Sequence, residues 1–345
     1  MTVRNPLIDG LKVLASQLIV FHHLATYGPL SDVWDAAALQ SSDWLFDYGK
    51  MAVQVFLVIG GFLAARGLDS AGGLSLQLAG HLVRQRYLRL VLPLLAALLI
   101  AIPSAWLARS LASYQFFPAA PTWGQWLAHA FLLHNVLGVE SLSAGVWYVA
   151  IDLHAYMLVV GLFLFCGRWV RVGVLLVMLA SLFYFNRDAG FDVGPLYFFG
   201  AYGMGMVAYW ASQSRRMLWH MVLLVAVGLA ALWFDFRARI AIALCVALML
   251  ASTAQWQYPD QKLHAWHARC SATVQALANT SYALFLVHFS ILMIANALFD
   301  QWGQGSAARA AAFIALCWAL SMGLAVMFER WIERPIYRRL ARSRN

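Results

Sequence analysis

A succession of apolar segments separated by short polar stretches constrains this chain more than any other feature. Hydrophobic residues make up 63% of its 345 residues and charged residues only 11%, with a mean hydropathy of +0.70. Soluble domains of this length are not so apolar. Backbone groups in hydrocarbon must be hydrogen-bonded within their own segment, so apolar stretches of this kind predict membrane-spanning helices. The segments lie at residues 7–27, 48–65, 90–108, 145–167, 171–186, 194–211, 217–234, 238–254, 274–299 and 307–328.

The sequence therefore predicts an all-α, polytopic integral membrane protein with about ten transmembrane helices. We interpret residues 1–345 as a single transmembrane domain, because no composition shift marks a second one. Most of the 24 Lys and Arg residues fall in alternate segments, and the positive-inside rule then places both termini in the cytoplasm. The net charge of +9 indicates contacts with anionic lipid, and no nucleic-acid partner is expected. Residues 124–137, with His129 and His134, are interpreted as an interfacial or re-entrant helix.

The first apolar segment carries three ionisable side chains, which are costly inside a membrane and usually mark a pathway or a site. Lys12 stands near its start, and His22 and His23 stand near its end. Lys12 and His23 are eleven residues apart, about three helical turns, so both are predicted to lie on one face. A ligand lying along the helix would meet both. A lysine that reaches to the membrane surface, with a histidine satisfied by a neighbouring helix, explains the pair equally well.

An arginine pair stands where the third apolar segment begins. Arg86 and Arg89 are three residues apart and share one face of a helix. Their forked donors suit phosphate oxygens, although anchoring to lipid headgroups is the commoner role of such a pair. No metal site is expected, because none of the four cysteines has the spacing of metal ligands. Ala201 and Gly205 form a small-xxx-small pair that predicts close helix packing.

Two later segments also carry polar side chains. Trp147 and Tyr148 precede Asp152 and His154 in the fourth apolar segment, and His288 lies in the ninth. Intramembrane Asp and His residues are candidates for a functional site. The alternatives are interfacial anchoring for the aromatic side chains and a hydrogen bond to a neighbouring helix for His288.

Six stretches stand out in chain order: Asp9-Gly10-Leu11-Lys12 with His23, residues 56–63 (FLVIGGFL), Arg86-Tyr87-Leu88-Arg89, Trp147 to Tyr156, Tyr282 to His288, and Glu333-Arg334-Pro335. Taken together, they resemble the motifs of the acyltransferase family 3 of integral membrane acyl transferases. The sequence departs from the family's usual residues at Gly60, where serine is usual, at Tyr148, where serine is common, and at Asp152, where glutamate is common. The chain ends soon after the tenth segment, so it resembles the form without an extracytoplasmic hydrolase-like domain.

The resemblance implies a membrane O-acyltransferase. It would move an acyl group, most often acetyl, from cytoplasmic acyl-coenzyme A to a hydroxyl of an extracytoplasmic or lipid-linked carbohydrate. A location in the bacterial inner membrane is implied as well, while the oligomeric state stays open. Carried onto this sequence, His23 is expected to be the general base. Lys12 and Asp152 join it as catalytic candidates, Arg86, Arg89 and Lys12 are expected to bind the acetyl-coenzyme A, and Trp147, Tyr148 and His288 are expected to bind the acceptor.

Two other classes of membrane protein fit the same pattern of spans. A transporter or flippase also places ionisable groups midway along its helices. A non-catalytic scaffold needs only the architecture. A transporter or flippase gives little reason for a Lys and a His on one stripe together with an arginine pair.

Overall fold

The structure, a computed structural model, describes residues 5–71, 73–253, 261–303 and 306–342. These residues form α-helices joined by short turns, and no strand occurs among them. The helices are α1 (Pro6–Leu24), α2 (Pro29–Tyr48), α3 (Ala52–Asp69), α4 (Leu76–Leu111), α5 (Trp123–Ala130), α6 (Val146–Cys166), α7 (Val170–Phe183), α8 (Pro195–Gln213), α9 (Met217–Phe234), α10 (Ala238–Thr253), α11 (Gln261–Trp302), α12 (Ala307–Phe328) and α13 (Arg334–Arg342).

The all-α membrane architecture is confirmed. Each of the ten predicted segments contains a helix, and among the described residues seven stretches are long and apolar enough to cross a membrane. The number of spans and the side on which the termini lie stay predictions. The seven stretches are Pro6–Leu24, Gln40–Asp69, Leu76–Leu111, Val146–Arg187, Met217–Phe234, Ala272–Trp302 and Ala307–Arg342.

The chain divides into two compact units. Unit 1 comprises Met1–Lys12, Val53–Tyr87 and Ile151–Ala276, and unit 2 comprises Val13–Ala52, Leu88–Ala150 and Leu277–Asn345. The single transmembrane domain that the sequence predicts for residues 1–345 stays a prediction.

Helix α8 lies at the centre of unit 1, where it packs against α7, α9 and α10. Glycines let its backbone come close to α3. A Cβ on Gly205 would overlap the carbonyl of Val58, and a Cβ on Gly61 would overlap the carbonyl of Tyr202. Close backbone approach of this kind is the usual role of small residues between membrane helices. The close packing predicted for the stretch that contains Gly205 is confirmed.

In unit 2, the stretch between the first two apolar segments is also helical. Gly28 turns the chain with φ = 79°, and Pro29 begins α2. Proline is favoured in the first helical turn because that turn needs no amide donor. The Asn296 side chain accepts a hydrogen bond from the Leu30 amide at 3.1 Å. A non-helical Ala38 (φ −154°, ψ 57°) bends α2, which ends beside the end of α1.

In unit 2, the segment interpreted as an interfacial or re-entrant helix contains a helix shorter than predicted. Thr122 caps α5 in a reciprocal pair of hydrogen bonds with Gln125. The helix ends at Ala130, and the buried Leu132 then adopts a positive φ of 56°. The chain turns away at this residue and does not continue as a helix to residue 137.

Candidate active site

The structure brings two of the sequence-predicted histidines of unit 2 into direct contact. His23, in the last turn of α1, places its Nδ1 2.7 Å from Nε2 of His288 in α11. The two ring planes differ by 14°, with centroids 5.0 Å apart. His23 is 7% exposed and His288 is 1% exposed. The residues are far apart in the sequence, so this contact is a product of the fold.

Backbone and aromatic groups fix the surroundings of this pair. His288 Nδ1 lies 2.8 Å from the carbonyl oxygen of Leu284, one turn earlier in α11. Tyr27 and Phe289 present ring edges to His23, with centroids 5.5 and 6.0 Å from its ring. An imidazole held by one polar partner in an aromatic surrounding keeps a defined orientation, which a catalytic base requires.

His22 has a separate role from its neighbour. Its Nδ1 lies 2.9 Å from the carbonyl oxygen of Leu45 at the end of α2. The approach of the two helix ends depends on Gly49, since a Cβ there would come within 2.7 Å of the His22 Cβ. His22 therefore ties α1 to the end of α2.

A second polar cluster lies in unit 1, around Arg86 and Asp152. Arg86 Nη2 donates to both carboxylate oxygens of Asp152, at 2.7 and 2.8 Å. The Arg86 guanidinium also lies 4.8 Å from the centre of the Tyr156 ring. The Asp152 side chain is 6% exposed and that of Arg86 is 28% exposed. A carboxylate within an apolar helix is tolerated only when a partner compensates its charge, and Arg86 is that partner.

Sequence reasoning missed Tyr202 of α8, which belongs to this cluster. Its side chain is fully buried, and its ring and Asp152 Oδ1 both lie within 3.3 Å of the position that a Cβ on Gly60 would take. Neither the Tyr202 hydroxyl nor Arg86 Nε has a hydrogen-bond partner in the described part of the chain. The only signal was a phenol within the apolar run that contains Gly205.

The remaining predicted site residues lie on α1, α4 and α6. Lys12 is half-buried on α1, the helix that also ends with His23. Arg89 is exposed, one turn after Arg86 on α4, and its guanidinium lies 5.6 Å from the Tyr337 ring centre. The Trp147 carbonyl accepts a hydrogen bond from Asn135 at 3.0 Å, and the Tyr148 ring packs edge-on against Phe285 at 5.6 Å. Tyr148 thus contacts the helical turn that precedes His288.

Asp152 bonds to Arg86, and His23 bonds to His288. The proposed roles of all these residues stay predictions. The two clusters nevertheless differ in kind, since one is a pair of opposite charges and the other is a pair of imidazoles that can carry a proton.

The comparison with protein families identifies the class to which the chain belongs. The family model described as an acyltransferase domain, Acyl_transf_3, matches residues 5–328. No curated protein and no solved structure matches the chain significantly. The match contains both histidines of the pair, both members of the Arg86–Asp152 cluster, and nearly the whole of the helical chain. The chain belongs to acyltransferase family 3 and is a multi-pass membrane protein of that family.

Proposed function

We propose that the protein transfers an acyl group, most simply acetyl, from acyl-coenzyme A to a carbohydrate hydroxyl, with His23 as the general base. The observation that carries this proposal is the buried contact between His23 and His288. Neutral imidazole has a pKa in water close to the pH at which enzymes work, which suits removal of a proton from a hydroxyl during attack. A ring held by a second imidazole is oriented for such a step.

The proposed reaction balances without a further reactant. The acceptor hydroxyl attacks the thioester carbonyl while His23 takes its proton. The carbon–sulfur bond then breaks, and the coenzyme A thiolate receives the proton from His23. The products are an O-acyl carbohydrate and free coenzyme A. A covalent acyl-histidine is not required.

The donor phosphates are assigned to cations of α4 and α1. Arg86 and Arg89 lie one turn apart on α4, and guanidinium groups bind phosphate oxygens in pairs. Arg89 is the more exposed of the two, and Arg86 is paired with Asp152. Lys12 supplies a third cation. Asp152 acts on the donor through Arg86, or binds a sugar hydroxyl directly.

The acceptor is assigned to the beginning of α6, where Trp147 and Tyr148 offer aromatic faces to a sugar. The acceptor class that we propose is an extracytoplasmic or lipid-linked carbohydrate, modified at the bacterial inner membrane. Aromatic side chains with one polar end suit both the membrane interface and a sugar ring.

The test is turnover of [¹⁴C-acetyl]-coenzyme A by the purified protein in liposomes, with cell-envelope glycans of its native cell as acceptor. Release of free coenzyme A and label in the glycan are both measured. We expect both to appear together and to require the glycan. Liposomes without the protein are the control. If the glycan crosses the bilayer but no acetyl-coenzyme A is consumed, the protein is a transporter or flippase. Absence of both outcomes in folded protein indicates a scaffold.

A further inference from the structure

His288 donates a hydrogen bond from its Nδ1 to the backbone. This nitrogen lies 2.8 Å from the Leu284 carbonyl oxygen, which can only accept. A lone pair on Nδ1 facing that oxygen would be repulsive, so the hydrogen is on Nδ1. In neutral imidazole the other nitrogen then carries the lone pair. The backbone of α11 thus makes Nε2 of His288 an acceptor.

The position of the hydrogen on the His23 imidazole follows from that on His288. Its Nδ1 lies 2.7 Å from His288 Nε2, and a lone pair on Nε2 requires a donor opposite it. The hydrogen of His23 is therefore on Nδ1, and its lone pair is on Nε2. No hydrogen bond from the described residues occupies that Nε2. The chain of donors from His23 through His288 to Leu284 leaves one basic nitrogen at its end.

We propose that His288 is a positioning residue that fixes the tautomer of His23 and shares the proton that His23 receives. This inference rests on the proposed function, and it changes the expected role of His288 from acceptor binding to support of the base. When Nε2 of His23 accepts the proton of the hydroxyl, its Nδ1 hydrogen faces an imidazole nitrogen. That hydrogen moves to His288 Nε2, and the positive charge is spread over two rings in a buried surrounding where a localised charge is costly.

His22 shows why the acceptor that faces Nδ1 of a histidine matters for its ability to share a proton. Its Nδ1 also donates to a carbonyl oxygen, that of Leu45, so its tautomer is the same as that of His23. A carbonyl cannot take up a proton at neutral pH, so the hydrogen bond from His22 to Leu45 gives no route for sharing a charge. Two adjacent histidines on one helix differ in chemistry because one faces the backbone and the other faces an imidazole.

The experiment compares three variants in the acetyl-transfer assay. His288→Leu removes the acceptor, and we expect kcat to fall about 10²-fold with the KM for acetyl-coenzyme A unchanged. His288→Gln keeps an acceptor oxygen near the position of Nε2 and should recover about tenfold of that loss. His22→Asn, which keeps a donor to Leu45, is the matched control and should stay within about twofold of the wild type. A kcat for His288→Leu equal to that of the wild type overturns the proposal, and so does a glutamine variant no better than leucine.

A spectroscopic measurement tests the tautomer without turnover. Solid-state NMR of ¹⁵N-histidine-labelled protein, assigned by comparison with His23→Asn, should show His23 neutral with the hydrogen on Nδ1. In His288→Leu the hydrogen should move to Nε2. If the wild-type signal shows the hydrogen on Nε2, the inference is wrong even in an active enzyme. If the protein transfers no acetyl group but shows the expected tautomer, the proposed function fails and the positioning contact stands.

Discussion

Among the described residues of unit 2, two pairs of buried histidines have nearly parallel rings but different hydrogen bonds. His23 and His288 lie with ring planes 14° apart, and His129 and His134 lie with ring planes 3° apart and centroids at 4.3 Å. All four side chains are less than a tenth exposed. Burial and parallel rings therefore do not distinguish a candidate base from a structural histidine.

The hydrogen bonds of the ring nitrogens do distinguish His129 from His23. His129 Nδ1 donates to the Gln125 carbonyl at 2.8 Å, and its Nε2 accepts from the Leu142 amide at 3.1 Å. Both nitrogens are occupied by backbone, so His129 ties the end of α5 to the segment that precedes α6. His23 uses only Nδ1 for a described hydrogen bond. The second ring nitrogen, which the described backbone occupies in His129 but not in His23, distinguishes these two histidines.

The largest effect is expected from His23→Asn. The asparagine amide can donate to His288 as Nδ1 does, but nothing replaces Nε2. We expect kcat to fall by about 10²–10⁴-fold, the usual contribution of a general base. The apparent unfolding temperature in detergent should stay within about 2 °C of the wild type, because the hydrogen bond to His288 is kept. Acetyl transfer at more than about a tenth of the wild-type rate would remove His23 from the base role.

The sequence identified both members of the His23–His288 pair, but for separate roles. Each was recognised as an ionisable group inside an apolar helix, and the family motifs supported both. Their contact could not be predicted, since it joins α1 to α11 across most of the chain. Leu284 and Leu45 act through backbone carbonyls, which no residue type reveals. Tyr202 was missed because the residues beside it, Asp152 and Gly60, come from other helices of unit 1.

More of the fold than of the site could be predicted. A hydropathy pattern is contained within one segment of the sequence, whereas the contacts of the site join distant segments. Helices occupy all ten predicted segments. The stretch between the first two apolar segments contains four aspartates, and no helix was predicted there. It folds as α2, which begins after Gly28 with Pro29 in its first turn.

A smaller effect, on stability rather than on activity, is expected from His129→Leu. Leucine leaves the buried Leu142 amide without its acceptor, which should lower the free energy of unfolding by about 1–3 kcal/mol. Thermal unfolding in detergent measures the loss, and acetyl transfer per folded molecule should stay within about threefold of the wild type. His129→Gln, whose side-chain oxygen can accept from Leu142, is the matched control and should recover part of the stability. A leucine variant with normal stability and no activity would make both pairs part of the site.

The smallest effect is expected in the pH dependence of stability. Burial lowers the pKa of the His129 imidazole below its ordinary value near 6.5. Below about pH 6.5 the unfolded chain therefore binds a proton at this position that the folded chain does not, and acid destabilises the fold through His129. Above about pH 7.5 neither state is protonated there, so the contribution vanishes.

Glutamine at this position does not titrate. The stability advantage of the wild type over His129→Gln should accordingly shrink as the pH falls from 8 to 5, while His134 and the other histidines contribute to both proteins. Unfolding by denaturant at several pH values measures the difference. A difference in stability that is constant, or that grows in acid, would show that His129 is protonated in the folded protein at low pH. The description of His129 as a neutral, buried histidine would then be wrong.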